Sequence, residues 1–141
     1  MAGSIDVENL EVTRGEFTLR VDGLRIEPSE VFAILGTTGS GKTVLMESIA
    51  GAYPIESGRI LLDGKDVDGL PIQQRHLGIL YQDYALFPHM NVRDNIAYGL
   101  KRHRVSRVAI DEKVDGMLDL FGIAHIAKRL PGVISGGEAQ R

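Results

Sequence analysis

The chain has 141 residues, of which 43% are hydrophobic, and a formal net charge of −3 at pH 7; this suits one globular domain and gives no indication of a nucleic-acid-binding surface. It contains no cysteine, which excludes a disulfide framework and a thiolate metal site. Because no apolar stretch approaches the ~18 residues of a membrane span and the N-terminus lacks the blocks of a signal peptide, we expect a cytosolic protein that is not inserted in a membrane and reaches one only through a partner.

The first third of the sequence predicts antiparallel β-structure. Apolar and β-branched residues alternate with polar ones over residues 5–12 and 17–26, and residues 14–16 form a plausible turn between them. A second turn at Pro28 and Ser29 leads into the apolar residues 31–35. We predict that residues 31–35 form a buried strand.

A glycine-rich loop follows this predicted strand and precedes a predicted helix at residues 44–50. Its sequence is Gly36-Thr37-Thr38-Gly39-Ser40-Gly41-Lys42-Thr43. The pattern G-x-x-x-x-G-K-[ST] between a strand and a helix indicates a phosphate-binding loop, in which Lys42 would reach the β- and γ-phosphates and Thr43 would ligate Mg²⁺. The glycines let the backbone approach the phosphates, and the helix N-terminus favours an anion. The alternative is a chance glycine-rich turn, which the flanking elements make the weaker interpretation.

The segment after the predicted helix contains two further strand signals. Gly51 is a C-cap candidate, and Asp63-Gly64 follows a short apolar run at residues 59–62 as a two-residue hairpin signal. Residues 77–81 predict another buried strand, which ends at Gln82. The Gln82 amide oxygen either accepts Mg²⁺ or water, or only caps the loop that follows.

The loop after Gln82 is more apolar than an ordinary loop. Leu86, Phe87 and Met90 surround Pro88, which indicates either a patch that another molecule covers or packing within the domain. Beyond it, residues 92–101 predict a short helix, followed by a basic linker.

A longer helix is predicted over residues 107–121, with Ser106 as its N-cap and Gly122 after its end. Its expected apolar stripe consists of Val108, Val114, Met117, Leu118 and Phe121. We therefore expect a β-rich region with the first part of the phosphate-loop core at residues 1–88, and a helical subdomain at residues 89–141.

Residues 135–138 predict a capped helix start. Ser135 and Glu138 fit a capping box, in which each side chain bonds an N–H group near the other. The simpler interpretation ends there. The further interpretation is an anion site, because Gly136 and Gly137 leave N–H groups uncovered at a helix N-terminus. Two separated phosphate sites in one chain would suit a nucleotide held between two copies.

In order and spacing, these motifs resemble those of the ATP-binding subunits of ABC transporters. The matching residues are 36–43 (Walker A), Gln82 (the Q-loop glutamine) and 134–141, Ile-Ser-Gly-Gly-Glu-Ala-Gln-Arg (the signature). Residues 84–90, Tyr-Ala-Leu-Phe-Pro-His-Met, are similar to the importer branch, which includes maltose, polyamine, ferric-iron and molybdate or tungstate systems. The resemblance implies an α/β fold with a P-loop NTPase core, an N-terminal antiparallel β-region and part of a helical subdomain.

The resemblance also implies an ABC-type ATPase with ATP and Mg²⁺ at its site. Lys42 and Gln82 would be the catalytic contacts, and Thr43 and Gln82 would act at Mg²⁺. Ser135, Gly136 and Gly137 would close over a nucleotide bound to a second ATP-binding subunit, so that two subunits pair head to tail.

The resemblance implies a second kind of partner, a transmembrane permease. Residues 83–90 would face one of its helices, and the subunit would lie in the cytoplasm at the inner face of the membrane. Through residues 14–17 and 86–90, the resemblance leans toward the importers of molybdate- or tungstate-type oxyanions.

The sequence departs from the family pattern in its first part. Thr13 and Arg14 stand where an adenine-stacking aromatic is usual. Phe17 is the nearest candidate, and it fits a core residue of the predicted strand at residues 17–26 equally well. Ser29 replaces a common turn glycine, and Thr37 stands where proline is frequent. We expect phosphate binding to remain possible despite these departures.

In members of the family, the Walker B strand, the catalytic glutamate and the switch histidine all follow the signature, beyond the position that Arg141 occupies here. We therefore expect the 141 residues to be an N-terminal fragment that binds nucleotide weakly and is inactive alone. One alternative is a non-hydrolysing module that binds nucleotide or permease. Another is a different phosphate-loop class, such as a kinase or a GTPase, although the guanine-reading motif N-K-x-D is missing.

Overall fold

The structure is a computed structural model that describes residues 3–81, 85–103 and 105–141. The chain divides into two compact units, Met1–Ile79 and Leu80–Arg141. In the part of the chain that is described, the first unit contains all the strands, one α-helix and a short 3-10 helix at Ile72–Gln74, and the second unit is helical. Within the described residues, no helix combines the length and the apolar character needed to cross a membrane.

The first unit is built on a four-stranded antiparallel sheet. Its strands are β1 (Ile5–Arg14), β2 (Phe17–Ile26), β3 (Ser57–Leu62) and β4 (Lys65–Asp66). They lie in the order β2-β1-β3-β4. The strands that the sequence predicts at residues 5–12, 17–26 and 59–62 are therefore confirmed, with small differences at the ends.

The predicted hairpin turn at Asp63 and Gly64 is also confirmed. Their φ angles are 50° and 70°, which is the left-handed conformation that a tight two-residue hairpin requires at both central positions. Leu62 and Lys65 pair directly across it. Asp63-Gly64 therefore determines the register between β3 and β4.

A register shift in β1 keeps its apolar side chains on one face. The shift relative to β3 lies near Asn9, whose φ is 48°. It lets Val7, Leu10 and Val12 all be buried, although residues 7 and 10 would face opposite sides of a regular strand. Gly58 lies opposite, so close that a Cβ atom there would be 2.3 Å from the Asn9 carbonyl oxygen.

The helix α1 (Lys42–Ala50) packs on this sheet. Leu45 and Ile49 are buried in the same core as Val7, Leu10, Val12 and Ile60 of the sheet. They face the sheet together because they are four residues apart. Gly51, with φ 87°, ends the helix as the sequence predicts.

Two predicted buried strands do not form. Residues 31–35 and 77–81 have no regular secondary structure, and the side chains of Val31, Leu35 and Leu80 are 97%, 92% and 81% exposed. A strand needs a hydrogen-bonded neighbour, and neither segment belongs to the sheet of the described residues. The prediction of buried strands at these two places is wrong for this structure, although both segments are apolar.

The second unit contains α2 (Val92–Arg102), α3 (Arg107–Leu120) and the short α4 (Gly136–Gln140). The predicted N-cap at Ser106 is confirmed, since its side chain accepts a hydrogen bond from the Ala109 N–H. The core of the unit consists of Val92, Ala97, Val114, Leu118, Ile123 and Ile126.

The predicted apolar stripe of α3 is only partly correct. Val114 and Leu118 are buried, and Ile110 packs beside them at the same four-residue spacing. The other three predicted members are exposed: Val108, Met117 and Phe121. The apolar residues of α3 lie on two adjoining faces of the helix. Only the face that packs against the rest of the unit is buried, and the sequence pattern alone does not tell which face that is.

Ser29 lies in a turn of the first unit with a backbone conformation that is unfavourable for a non-glycine residue. It is the third residue of a turn closed by the Glu30 N–H to Glu27 carbonyl bond, 3.1 Å, and its φ is 64°. This turn type favours glycine at that position, with proline before it, as Pro28 is. Ser29→Gly should therefore raise the free energy of unfolding by about 1 kcal/mol, measured by chemical denaturation. Ser29→Ala, which keeps the Cβ atom, should bring no such gain; a loss of stability in Ser29→Gly would contradict the strain argument.

Candidate functional site

The loop at residues 36–43 curls around the side chain of its own lysine. Lys42 Nζ donates hydrogen bonds to the carbonyl oxygens of Gly36 and Thr37, both at 2.8 Å, and lies 3.4 Å from Ser40 Oγ. The Ser40 N–H closes a turn onto the Thr37 carbonyl at 3.2 Å. One ammonium group therefore holds the first half of the loop, and its partners are all neutral oxygens.

The backbone of the loop prepares an uncapped helix start. Gly39 and Gly41 have φ angles of 83° and 92°, a region that other residues rarely adopt. Gly41 is the N-cap of α1, and the first turn has no side-chain cap and no acidic residue. The N–H groups of that turn therefore point outward without a side-chain acceptor, at the positive end of the helix dipole.

An aromatic ring lies against this loop. A Cβ atom added to Gly41 would be 2.9 Å from Phe17 Cζ and 3.1 Å from Leu19 Cδ1. The structure thus brings the predicted candidate Phe17 next to the loop. Arg14 is engaged elsewhere, since its guanidinium stacks 3.6 Å above the ring of Tyr53.

The predicted Gln82 lies outside the described residues, as do Asp83 and Tyr84. The loop that follows is fastened to α2 by Asn95, which sequence reasoning missed. Its side chain accepts from the Phe87 N–H at 2.8 Å and donates to the carbonyls of Phe87, Met90 and Asn91.

Phe87 is consistent with both interpretations of this apolar loop, packing within the unit and a patch that another molecule covers. Its ring packs against Tyr98 with centroids 4.5 Å apart, so part of it belongs to the interior of the unit. It nevertheless remains 36% exposed. The loop therefore presents a partly open aromatic side chain on a backbone that Asn95 holds in place.

Ser135 begins α4 with both halves of the predicted capping box. Its Oγ accepts from the Glu138 N–H at 3.3 Å, and its N–H donates to Glu138 Oε2 at 2.7 Å. The Ser135 hydroxyl also donates to the same carboxylate oxygen at 2.7 Å. Gly136 and Gly137 are exposed, and a Cβ atom at either would meet nothing within 4 Å. The start of α4 is therefore open on its outer side.

No group of three or more His, Cys, Asp or Glu side chains in the described part of the chain could hold a metal ion. Thr43 is exposed beside Lys42 at the start of α1. Its hydroxyl can supply a single oxygen ligand to a hard cation such as Mg²⁺, whose other ligands are typically phosphate oxygens and water. The exposed Thr43 hydroxyl thus fits one ligand position of a nucleotide-bound Mg²⁺.

The capping box makes a prediction about pH. The hydrogen bond from the Ser135 backbone, followed by that from its hydroxyl, lowers the pKa of Glu138 below its ordinary value of 4.5. A lowered pKa means that the cap is complete above pH 4.5 and is lost as the pH falls through the folded-state value. The Ser135 amide resonance should therefore titrate with a midpoint below 4.5. In Glu138→Gln it should not titrate in this range, and a wild-type midpoint at or above 4.5 would contradict the assignment.

A family model described as ABC transporter matches residues 19–141. Among curated relatives, the molybdate/tungstate import ATP-binding protein WtpC of Pyrococcus abyssi is 49% identical over 135 residues, which cover 96% of this chain and 39% of that protein. The Fe(3+) ions import ATP-binding protein FbpC of Agrobacterium fabrum is 44% identical over 140 residues, which cover 99% and 40%. The chain thus spans about two fifths of the length of these relatives.

A solved structure with a similar fold is cbiO1 of Clostridium perfringens, described as part of the ABC transporter complex cbiONQ. The TM-score is 0.80 at 30% sequence identity, and the match covers 96% of this chain and 57% of that one. Together with the family match, this likeness confirms the predicted fold class, an α/β P-loop core with an antiparallel β-region and part of a helical subdomain.

Proposed function

The chain belongs to the ABC transporter family, and we propose that it is the nucleotide-binding part of a subunit that binds and hydrolyses ATP to power import across a membrane. The observation that carries this proposal is the loop at residues 36–43, which curls around the Lys42 ammonium at the start of α1. The relatives, which are import ATP-binding proteins, support the same activity.

The loop has the chemistry to exchange its own contacts for those of a triphosphate. Lys42 donates hydrogen bonds to neutral carbonyl oxygens. A hydrogen bond from the same ammonium group to a charged phosphate oxygen would be shorter and stronger. The open N–H groups of the first turn of α1 would bind further phosphate oxygens. Thr43 would hold a Mg²⁺ ion, which when bound would supply positive charge for phosphoryl transfer. Gln82 would act at the same ion and at the attacking water.

Phe17 is the proposed contact for the base. Its ring lies at Gly41, directly beside the residues that would hold the phosphates, and it is 37% exposed. An aromatic face of this kind can stack on a nucleobase. This assignment replaces the usual upstream aromatic of the family, whose place is taken by Thr13 and Arg14.

A second copy of the subunit would complete the site. In this arrangement Ser135, Gly136 and Gly137 of one copy close over the nucleotide bound to the other. The open surface above Gly136 and Gly137 supports it. The Ser135 hydroxyl, which donates to Glu138 here, would turn to the nucleotide phosphate on closure.

The permease contact is proposed for residues 83–90, which places the subunit in the cytoplasm at the inner face of the membrane. The support is the partly exposed Phe87 on a loop held by Asn95. A fixed aromatic side chain can transmit a push from the subunit to a partner helix. Molybdate or tungstate is the proposed cargo, since the relative with 49% identity imports these oxyanions.

Lys42→Ala tests the central assignment. It should weaken the binding of Mg·ATP by about 10- to 100-fold, because a charged hydrogen-bond donor to the phosphates is lost. Isothermal titration at low salt measures the affinity, and circular dichroism confirms that the variant is folded. Lys65→Ala, at an exposed lysine of β4, is the matched control and should bind as the wild type does.

Equal affinities of wild type and Lys42→Ala would overturn the phosphate-loop assignment. Phosphate release by the protein at its full natural length separates the two functions that remain. Lys42-dependent binding with continuous phosphate release supports the ATPase. The same binding without any release would mean that the non-hydrolysing module is correct.

Phe87→Ser tests the permease contact. It should leave Mg·ATP affinity within about twofold, since residues 36–43 carry the proposed nucleotide contacts, while it uncouples hydrolysis from cargo transport in the assembled transporter. Vesicle uptake and phosphate release, measured on the same sample, give the ratio. Phe121→Ser, at an exposed phenylalanine after α3, should change neither quantity. A parallel loss of ATP affinity and transport in Phe87→Ser would mean that Phe87 serves internal packing only.

A further inference from the structure

Arg75 is the one buried charged residue in the part of the chain that the structure describes, with 7% of its surface exposed. Its guanidinium donates four hydrogen bonds, all to backbone carbonyls. The acceptors are Ser48 and Ile49, each 3.0 Å from Nη1, Asp68, 3.3 Å from Nη2, and Leu70, 3.1 Å from Nε. The side chain therefore joins two separate stretches of backbone.

The first stretch is the last turn of α1. A helix leaves its final carbonyls without partners inside the helix. Arg75 binds the Ile49 carbonyl and also the Ser48 carbonyl, which accepts from the Gly51 N–H as well. A cation also suits this end of the helix dipole. Burial lowers the pKa of Arg75, and Asp68 opposes that shift, but a guanidinium remains charged at neutral pH.

The second stretch is the turn after β4, which is itself tied to the sheet. The Asp68 carboxylate accepts from the Ile60 N–H of β3 at 2.9 Å, and the Val67 N–H donates to the Ile60 carbonyl at 3.0 Å. Arg75 thus anchors the C-terminal end of α1 to the sheet through this turn.

The opposite end of α1 carries Lys42 and the phosphate loop. The helix has nine residues and is therefore only about 13 Å long. A helix this short moves as a rigid body, so a shift at Ser48 and Ile49 displaces the first turn by a similar distance. The bonds of Arg75 at the C-terminal end of α1 therefore influence the position of the phosphate loop at its N-terminal end.

We propose that Arg75 is a positioning residue for the phosphate loop: its four backbone bonds fix α1 along its axis, and with it Lys42 and the N–H groups of the first turn. This inference rests on the proposed binding of nucleotide at residues 36–43. It assigns Arg75 a role in phosphate affinity that is separate from its contribution to stability.

Gly51 provides a second way to disturb the anchor. A Cβ atom at Gly51 would lie 2.5 Å from Arg75 Nε, and the φ of Gly51 is 87°. Gly122, which follows α3, has a φ of 65° and nothing within 4 Å of an added Cβ atom. Gly51→Ala and Gly122→Ala therefore share the backbone strain, but only the first displaces the guanidinium.

The experiment compares Arg75→Lys, Gly51→Ala and Gly122→Ala in the protein at its full natural length. Lysine keeps the charge and the aliphatic stem, but its single nitrogen cannot reach both stretches of backbone. Affinities for Mg·ATP and for inorganic triphosphate are measured well below each unfolding midpoint, where every variant is folded. Arg75→Lys and Gly51→Ala should bind both ligands about tenfold more weakly, whereas Gly122→Ala should only lower the unfolding midpoint.

Inorganic triphosphate is the informative probe because it lacks a base, so a change in its affinity reports on the phosphate loop alone. If Arg75→Lys and Gly51→Ala keep wild-type affinity and only lose stability, as Gly122→Ala does, the inference is wrong. If Arg75→Lys does not fold, Gly51→Ala and Asp68→Ala, which removes the bond to the Ile60 N–H, decide the question by the same criterion. A wild-type protein that binds neither ligand would overturn the proposed function and this inference with it.

Discussion

The candidate site depends on how one short helix is held against the sheet. Leu45 and Ile49 bury α1 in the core that the strands form, and Arg75 bonds the carbonyls of its last turn. The phosphate loop itself meets the sheet at Gly41, through the side chains of Phe17 and Leu19, and Lys42 makes bonds within the loop. Core packing and one buried guanidinium therefore decide where the loop lies, and the loop sequence decides what it can bind.

Local rules were enough to predict the parts of the structure that depend on neighbouring residues. Asp63 and Gly64 form their hairpin turn because both adopt positive φ, and Ser135 and Glu138 cap α4 because their spacing allows both bonds. The assignment of residues 36–43 to phosphate binding stays a prediction that rests on an equally local pattern, since the glycines and the lysine lie within eight consecutive residues. Family membership, predicted from these motifs, was confirmed by the match over residues 19–141.

Features that depend on distant residues were missed or predicted wrongly. Residues 31–35 are apolar, but whether they form a strand depends on a neighbour that sequence periodicity does not identify. The sequence gives no signal for Arg75, because arginine is rarely buried and two of its four acceptors lie 26 and 27 residues earlier in the chain. Val7 and Leu10 are three residues apart, which does not fit the alternation of a regular strand. The pairing with β3 explains this spacing through the register shift near Asn9.

We propose that residues 36–43 bind a nucleotide through its phosphate chain. Hydrogen–deuterium exchange of the amides in this loop, with Mg·ATP and with Mg·AMP at equal concentration, is the experiment of choice. We expect slower exchange at Gly39, Gly41, Lys42 and Thr43 with ATP and little change with AMP, because the β- and γ-phosphates make the contacts. Equal protection by both nucleotides, or unchanged exchange with ATP, would contradict it.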